Sequence, residues 1–433
     1  MELNSNGRNS GDNDMDVRSK GFSKHVTVDE ALKKFFSRIE LKKPEKELIF
    51  LTEAVNRILA EDIISEFNIP HFDRAAVDGY AVRAEDTFGA SFDNPLLLKI
   101  VDKVEIGEKR HVKIGKGEAV RIATGGKMPE GSNAVVMIEY TKRINGSVEI
   151  YRSVTPNENV SVLGEDVKAG EIILKKGTVL KPQDVGMFAA SGRKMVEVLK
   201  KPVVSVFSTG DELVDAGENL EEGNIVDTNR YAILSALKML GCDVIDLGIS
   251  KDIGEEIKSR IEKGLRNSDM VIVSGGTSVG EKDLLPEIIS ELGEIVVHGV
   301  ATKPGMPAGL AKVENKPVVM LPGFPVAALV AFYNFVPPIL EKMLDACIWE
   351  RRYVKAIASR RIPSKEGVRT FTRVVLRKTE KGYLADPVRT SGSGILSSMV
   401  KSHGFAIIPE ESEGIEEGDE IEVLLLREVL NDP

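Results

Sequence analysis

From Pro202 to Leu344 the sequence switches repeatedly between two hydrophobic periods. Short apolar runs (PVVSVF, DVIDLGI, MVIV, EIVV) alternate with longer stretches whose apolar residues recur at helical spacing. The pattern predicts a strand through PVVSVF, helix 231–240, strand 243–249, helix 253–265, strand 270–273, helix 284–292 and strand 294–297. Such runs are too apolar to leave either face in water, so they specify βαβ units in a parallel sheet covered by helices on both sides. PAGLAKVENKPVVMLPG then reads as a hairpin, and 325–344 as a long apolar helix. Asn334 and the Pro337-Pro338 pair interrupt that helix too much for a membrane span.

Both flanks are built differently. Residues 1–22 are polar, lack the apolar core of a signal peptide and read as a disordered tail. VTVDEALKKFFSRI is helical, with Thr27 as cap and Glu30 three residues on, and a short helix is expected near 51–59. Residues 84–160 hold short β-rich runs, with Asn145-Gly146 as a hairpin turn between TKRI and SVEI. Five further β runs after residue 350 predict a small C-terminal barrel or sandwich. The expected organisation is a linker domain of 23–83 and 161–200, a β domain of 84–160 inserted in it, an α/β domain of 201–347, and a C-terminal β domain of 348–433.

Composition excludes several classes. A net charge of −9 disfavours nucleic acid as a partner. Two cysteines, Cys242 and Cys347, give neither a disulfide framework nor a thiolate metal cluster, and five dispersed histidines make a zinc site unfavourable. A cytoplasmic protein that binds no membrane is the default expectation.

Ligands of open α/β sheets bind beyond the carboxyl ends of the strands. Here those ends carry STGDEL (208–213), SGGTSVGEKD (274–283) and, after the hairpin, LPGFPVA (321–327). Glycine-exposed N–H groups ahead of a helix can hold an anion, although glycines also simply make tight turns. GxGxxG and GxxxxGK[ST] are both missing, which argues against a dinucleotide site and a P-loop. The acidic candidates are Asp211, Glu212, Asp227 and Asp283. Carboxylates beside phosphates commonly hold Mg²⁺, while Asp227 and Asp283 are equally placed to cap helices. Lys303, in ATKPGMPAG, is an oxyanion ligand or an ordinary surface lysine. In the N-terminal half, Asp73, Arg74 and Asp78, then Thr124, Gly125 and Gly126, then Glu165 and Asp166 are loop polar groups of the kind that carry function.

FDRAAVDGYAV, RIATGGKMPEGSNAVVMIE, GEDVKAGEIIL, FSTGDEL, DTNR, SGGTSVGEKD, KPGMP and LPGFP occur in this order. Together they resemble the MoeA family of molybdopterin molybdenumtransferases, related to the E domain of gephyrin, over about residues 25–430. The resemblance implies a multidomain α/β plus β subunit: a MogA-like parallel α/β domain, an N-terminal arm with an inserted β domain, and a C-terminal β-barrel. It implies a homodimer that takes adenylylated molybdopterin and molybdate (or tungstate), inserts the metal at the dithiolene with Mg²⁺ assistance, and releases AMP. A MogA-like adenylyltransferase becomes a candidate partner. Asp78 and Thr124 match positions that complete the site across the dimer. Glu212, Asp227 and Asp283 match carboxylates of the α/β domain, with Asp283 and Glu212 as metal ligands. Ser274, Gly275, Gly276, Ser278 and Gly280 match the pterin-phosphate loop. Lys303 matches the first lysine of the usual KPGKP, and Pro304, Gly305, Pro322 and Gly323 belong to the flanking substrate loops.

Four positions depart from the family pattern. Met306 stands where the second lysine is usual, Phe324 and Ala327 replace Asn and Ser of PGNPVS, and Ser161 replaces an Arg. Each change removes or shrinks charge or hydrogen-bonding capacity that a desolvated oxyanion would need. Either Arg369, Arg373 or Ser391 joins Lys303 as a donor, or the chain is a divergent paralogue. The competing functions are a non-catalytic molybdopterin-binding or scaffold protein and a pterin adenylyltransferase.

Overall fold

The computed structural model describes residues 25–277, 284–380, 382–389 and 392–429. The expected tail, together with Ser278, Gly280, Asp283 and Ser391, lies outside the described residues. The chain forms two compact units, Glu47–Val198 and a second made of Met1–Lys46 with Leu199–Pro433.

The second unit contains the α/β domain. Its six-stranded sheet has the order Asp243–Ser250, Val203–Thr209, Met270–Ser274, Lys316–Leu321, Gly309–Val313, Glu294–His298. The first four strands are mutually parallel. Gly309–Val313 runs antiparallel to both of its neighbours, so the sheet is mixed rather than wholly parallel. The cause is local: Glu314 and Asn315 take φ of 49° and 59°, the left-handed pair that a two-residue hairpin turn needs.

Both faces are covered. Ile233, Leu237, Phe332, Phe335 and Ile339 pack on one side, and Ile257, Ile261, Leu265, Leu285 and Ile289 on the other. The helices run Thr228–Met239, Gly254–Asn267, Leu284–Leu292 and Pro325–Leu344, each within a few residues of expectation. Pro325–Leu344 is a core helix with most of its residues buried, Pro337 among them. Helix Val28–Arg38 has the expected capping box, with Glu30 N donating to Thr27 Oγ1 at 3.2 Å and Thr27 N to Glu30 Oε2 at 3.0 Å. It buries Val28, Ala31 and Phe35 in the α/β core, and so joins this unit rather than the linker domain.

The five predicted C-terminal strands close into a barrel, because Arg369–Thr379 pairs with both Gly382–Arg389 and Gly404–Ile408. Thr302–Lys303 adds to Arg369–Thr379 in parallel and ties the barrel to the α/β domain.

In the other unit, a six-stranded sheet has the order Ala134–Met137, Gly79–Val82, Glu118–Ile122, Leu96–Val104, Ser147–Ile150, Thr141–Ile144. It recruits Gly79–Val82 from ahead of residue 84. A Cβ on Gly79 would overlap the carbonyl oxygen of Val136, so this strand pairing requires glycine. Asn145 and Gly146 make the predicted turn, with φ of 39° and 86°. The helix expected near 51–59 is a single 3₁₀ turn, Leu51–Glu53. Asn56 at φ 64° stops it, and the Asn56 amide donates to Leu180 O instead.

Truncating the fully buried Phe332 to Ala should cost about 3–5 kcal/mol. Urea unfolding followed by tryptophan emission should show an earlier midpoint for the transition of this unit, which holds Trp349.

Candidate functional site

The carboxyl ends of the parallel strands open on a cavity of about 690 Å³, a size typical of small-molecule sites. Its floor is set by backbone constraint. Gly275 and Gly276 take φ of 97° and 61°. A Cβ on Gly275 would run into the carbonyl oxygen of Thr209, so the strand end and this turn can approach only without a side chain. The Gly275 amide donates to Leu321 O at 3.0 Å, which joins the floor to the Pro322–Gly323 loop.

Asn229, 8% exposed, locks the same two loops from the side. Its Nδ2 donates to Ser274 Oγ at 2.9 Å and to Gly323 O at 2.8 Å. Its neighbour Asp227, 2% exposed, caps helix Thr228–Met239. Asp227 Oδ1 accepts from Ser208 Oγ at 3.0 Å and from Arg230 N at 3.1 Å, and Oδ2 accepts from Arg230 Nε at 3.0 Å. Its carboxylate is therefore engaged by the protein as the expected cap, and the residue also lines the cavity. Arg230 also bonds Asp246 and reaches Asp215 Oδ1 at 2.7 Å. Burial opposes its charge, but hydrogen bonds to Asp246 and Asp227 outweigh burial and raise its pKa above the ordinary value.

On the acidic wall, Thr209 Oγ1 donates to Asp252 Oδ1 at 2.6 Å. Glu212 is exposed and folds its carboxylate over Gly210. Both acids line the cavity, and among the described residues that line it there is no Lys or Arg.

Of the residues predicted from sequence, Glu212, Asp227, Ser274, Gly275, Gly276, Pro322 and Gly323 converge on this one cavity. Lys303, Pro304 and Gly305 are not among its lining. Lys303 is exposed, and its ammonium makes no hydrogen bond or ion pair among the described residues. Asn229 and Asp252 escaped sequence reasoning, although Asp252 follows from the strand-end rule that found Glu212. Asn229 lies in the first turn of the helix that follows the short strand Ile225–Val226, and Asp252 two residues beyond strand Asp243–Ser250.

The departures separate. Phe324 lines the cavity and is 64% exposed, whereas Ala327 is 4% exposed and Met306 is not among the lining residues. Of the substitute donors, Arg369 and Arg373 have partners elsewhere, and Ser391 lies outside the described residues. Arg369 bonds Glu410 at 3.1 Å and Asp29 at 2.8 Å beside a different, smaller cavity. Arg373 is buried, with NH2 3.4 Å from Gly392 O. Ser161 donates to Glu165 Oε1 at 2.7 Å.

In the other unit, Asp78 and Thr124 meet as a pair. Asp78 Oδ1 accepts from Thr124 N at 2.7 Å and from Thr124 Oγ1 at 2.9 Å, and both residues are exposed. The backbone bond, then the side-chain bond, hold the Asp78 carboxyl below the usual carboxylate range.

A glycine-floored, acidic strand-end cleft in an α/β domain joined to a closed β-barrel defines a class of small-molecule-binding α/β proteins. Comparison with known proteins narrows the class. Residues 26–192 match the model of the MoeA N-terminal region, domains I and II; residues 205–342 match a probable molybdopterin binding domain; and residues 355–426 match the MoeA C-terminal region, domain IV. A Methanocaldococcus jannaschii relative is 40% identical over 87% of this chain and 91% of its own length. A molybdopterin molybdenumtransferase of Haemophilus influenzae is 36% identical over 92% of this chain and 98% of its own. The crystal structure of a molybdopterin biosynthesis MoeA protein from Pyrococcus horikoshii is 38% identical, covers 93% of this chain and 100% of its own, and superposes with a TM-score of 0.81. The chain belongs to the MoeA family, and its role lies in molybdenum cofactor biosynthesis.

Two outcomes follow from the geometry. Asp227→Ala leaves a buried guanidinium short of its most buried partner and should cost about 3–5 kcal/mol in a denaturation midpoint. Thr124→Ala removes one of the two donors to Asp78, so the Asp78 pKa should rise toward the ordinary carboxylate value in an NMR titration. The sign follows from linkage: with a folded pKa below the unfolded one, the contribution to stability is complete above the unfolded value and lost as pH falls through the folded one.

Proposed function

We propose that the protein transfers molybdenum (from molybdate) or tungsten (from tungstate) to the dithiolene of adenylylated molybdopterin, with hydrolysis of the adenylyl bond and release of AMP. The observation that carries this reading is the cleft itself. It has a glycine floor of anion-binding type, it is large enough for a nucleotide-sized ligand, and it sits in the domain that matches a molybdopterin binding model. Gly275, Gly276 and Ser274 hold the phosphate end, Pro322 and Gly323 form the adjoining wall, and Asn229 and Asp227 keep these elements in register. Ser278 and Gly280, outside the described residues, are assigned to the same phosphate end from the SGGTSVGEKD motif. Lys303, with Pro304 and Gly305 as its rigid support, is assigned as an oxyanion ligand because its ammonium is uncommitted among the described residues. Asp78 and Thr124 are assigned to the same reaction as a second, exposed acid–hydroxyl pair.

Mg²⁺ is part of the proposal. The described lining offers carboxylates and no cationic side chain, so a polyanionic substrate would be repelled unless a cation intervenes. Glu212 and Asp252 would hold it with Asp283, since Mg²⁺ needs only one or two carboxylates beside phosphates and water. When bound, it would neutralise charge on the phosphoryl oxygens. The protein's own share is orientation: the Gly275–Gly276 turn, held by the Gly275 amide on Leu321 O, shapes the floor against which the phosphate lies, and the acidic wall excludes anions that bring no cation. A homodimer in the cytoplasm, served by a MogA-like adenylyltransferase, completes the proposal. The two free thiols, Cys242 and Cys347, suit a reducing compartment.

Purified protein given adenylylated molybdopterin, Mg²⁺ and molybdate or tungstate should release AMP; release with neither oxyanion would overturn the reading in favour of a non-catalytic paralogue. Glu212→Ala should lower kcat on the order of 10²-fold, and chelation should abolish turnover until Mg²⁺ is restored. Sedimentation of the full chain at the mass of two copies checks the dimer.

A further inference from the structure

We propose that Phe324 is a stacking platform for a planar nitrogen heterocycle of the substrate, and so a specificity-determining residue of the cleft. The inference rests on the transferase reading above and deepens it. Phe324 is the residue at which helix Pro325–Leu344 begins, and it supplies no side-chain cap to that helix. Its ring is 64% exposed yet belongs to the cavity wall. Single exposed hydrophobic residues are common on surfaces, but this one is held in place. A Cβ on Gly394 would come within 3.3 Å of Phe324 Cδ1 and 3.6 Å of Cε1, so the barrel loop lies close against the ring. On the helix side, Val326 N donates to Ser393 O at 2.9 Å, which fixes the same loop to the first turn.

Position supplies the ligand chemistry. Phe324 follows Gly323, whose carbonyl is bound by Asn229 on the phosphate floor. The ring is thus one residue from the anion end, and Ile225, 59% exposed, adds apolar surface to the same cavity. A cleft with a polar floor beside an exposed aromatic ring suits a ligand in which a phosphate is joined through a short linker to a flat heterocycle. Adenine and pterin share that chemistry. Stacking on an aromatic side chain tolerates either, because every such base presents a π face.

Steady-state AMP release by the full chain tests the proposal, comparing the unaltered protein with Phe324→Ala, Phe324→Asn and Phe324→Trp. The expected result is a KM raised roughly 5- to 150-fold in the Ala and Asn variants, kcat within about two-fold, and a KM near the original in the Trp variant. An unchanged KM in the Ala and Asn variants would overturn it, as would an equal loss in all three, which would mark a structural role. Inhibition by AMP and by neopterin separates the two rings: the inhibitor weakened by Phe324→Ala and recovered by Phe324→Trp is the one that stacks, and an effect on neither overturns the proposal. Absence of AMP release from the unaltered protein would instead sink the transferase reading, so the two failures are distinguishable.

Discussion

The cleft depends on one buried guanidinium. Arg230, 2% exposed, stands among Asp227, Asp215 and Asp246. A charge this deep is tolerated only when its donors are matched by acceptors. Here the matching fixes three pieces of chain at once: the start of helix Thr228–Met239 through Asp227, strand Asp243–Ser250 through Asp246, and the segment after the Leu213–Val214 strand through Asp215. Tyr231 reinforces the last of these by donating to Asp215 Oδ1 at 2.6 Å, and this bond leads the interactions that lower the Asp215 pKa. Once the helix start is set, Asn229 is aimed at Ser274 and Gly323, and the two glycine-bearing strand ends are held together. Asp227, which lines the cavity, therefore also sets the position of Asn229.

The same cluster shapes the electrostatics. Because Arg230 is consumed by three carboxylates, it contributes little positive field to the cavity. Glu212 and Asp252 remain as charges that a ligand would meet, along with the dipoles of the floor amides. Backbone N–H groups can orient a phosphate, but they do not offset acidic neighbours at close range. On the proposed reading, an acidic cleft of this sort would favour substrates that arrive with a cation.

Much of this was legible in the sequence where local periodicity and burial agree. The α/β elements run close to their predicted bounds because the central strands Val203–Thr209, Met270–Ser274 and Lys316–Leu321 are buried on both faces and helices Gly254–Asn267 and Leu284–Leu292 each show one apolar stripe. The convergence of 208–213, 274–277 and 321–324 followed from topology alone, since parallel strands must place their carboxyl ends together. Tertiary partners decided what the sequence left open. Helix Val28–Arg38 is amphipathic wherever it packs, and nothing local says that Phe35 belongs to the α/β core. The helix expected near 51–59 gave way because Asn56 adopts the left-handed region and turns its amide to Leu180. Asp227 could not be assigned either, because cap and ligand demand the same residue at the same place, and the choice depends on Arg230, Asp215 and Asp246 arriving from elsewhere.

The departures from the family pattern take on a different meaning in three dimensions. As a string, Met306, Phe324, Ala327 and Ser161 are four losses of polar capacity. In the fold they are four separate situations. Ser161 keeps a polar task by donating to Glu165. Ala327 is buried on its helix, and Met306 is half-buried away from the described lining of the cleft. Phe324 alone among them meets the cavity. It does so at a helix start whose Val326 amide is satisfied by a carbonyl from the barrel loop, Ser393. The helix therefore makes no demand for a polar side chain at 324, and an aromatic ring can stand there without leaving that first-turn amide unpaired. The barrel takes over part of the capping, and the position it relieves is left to shape what the cleft binds.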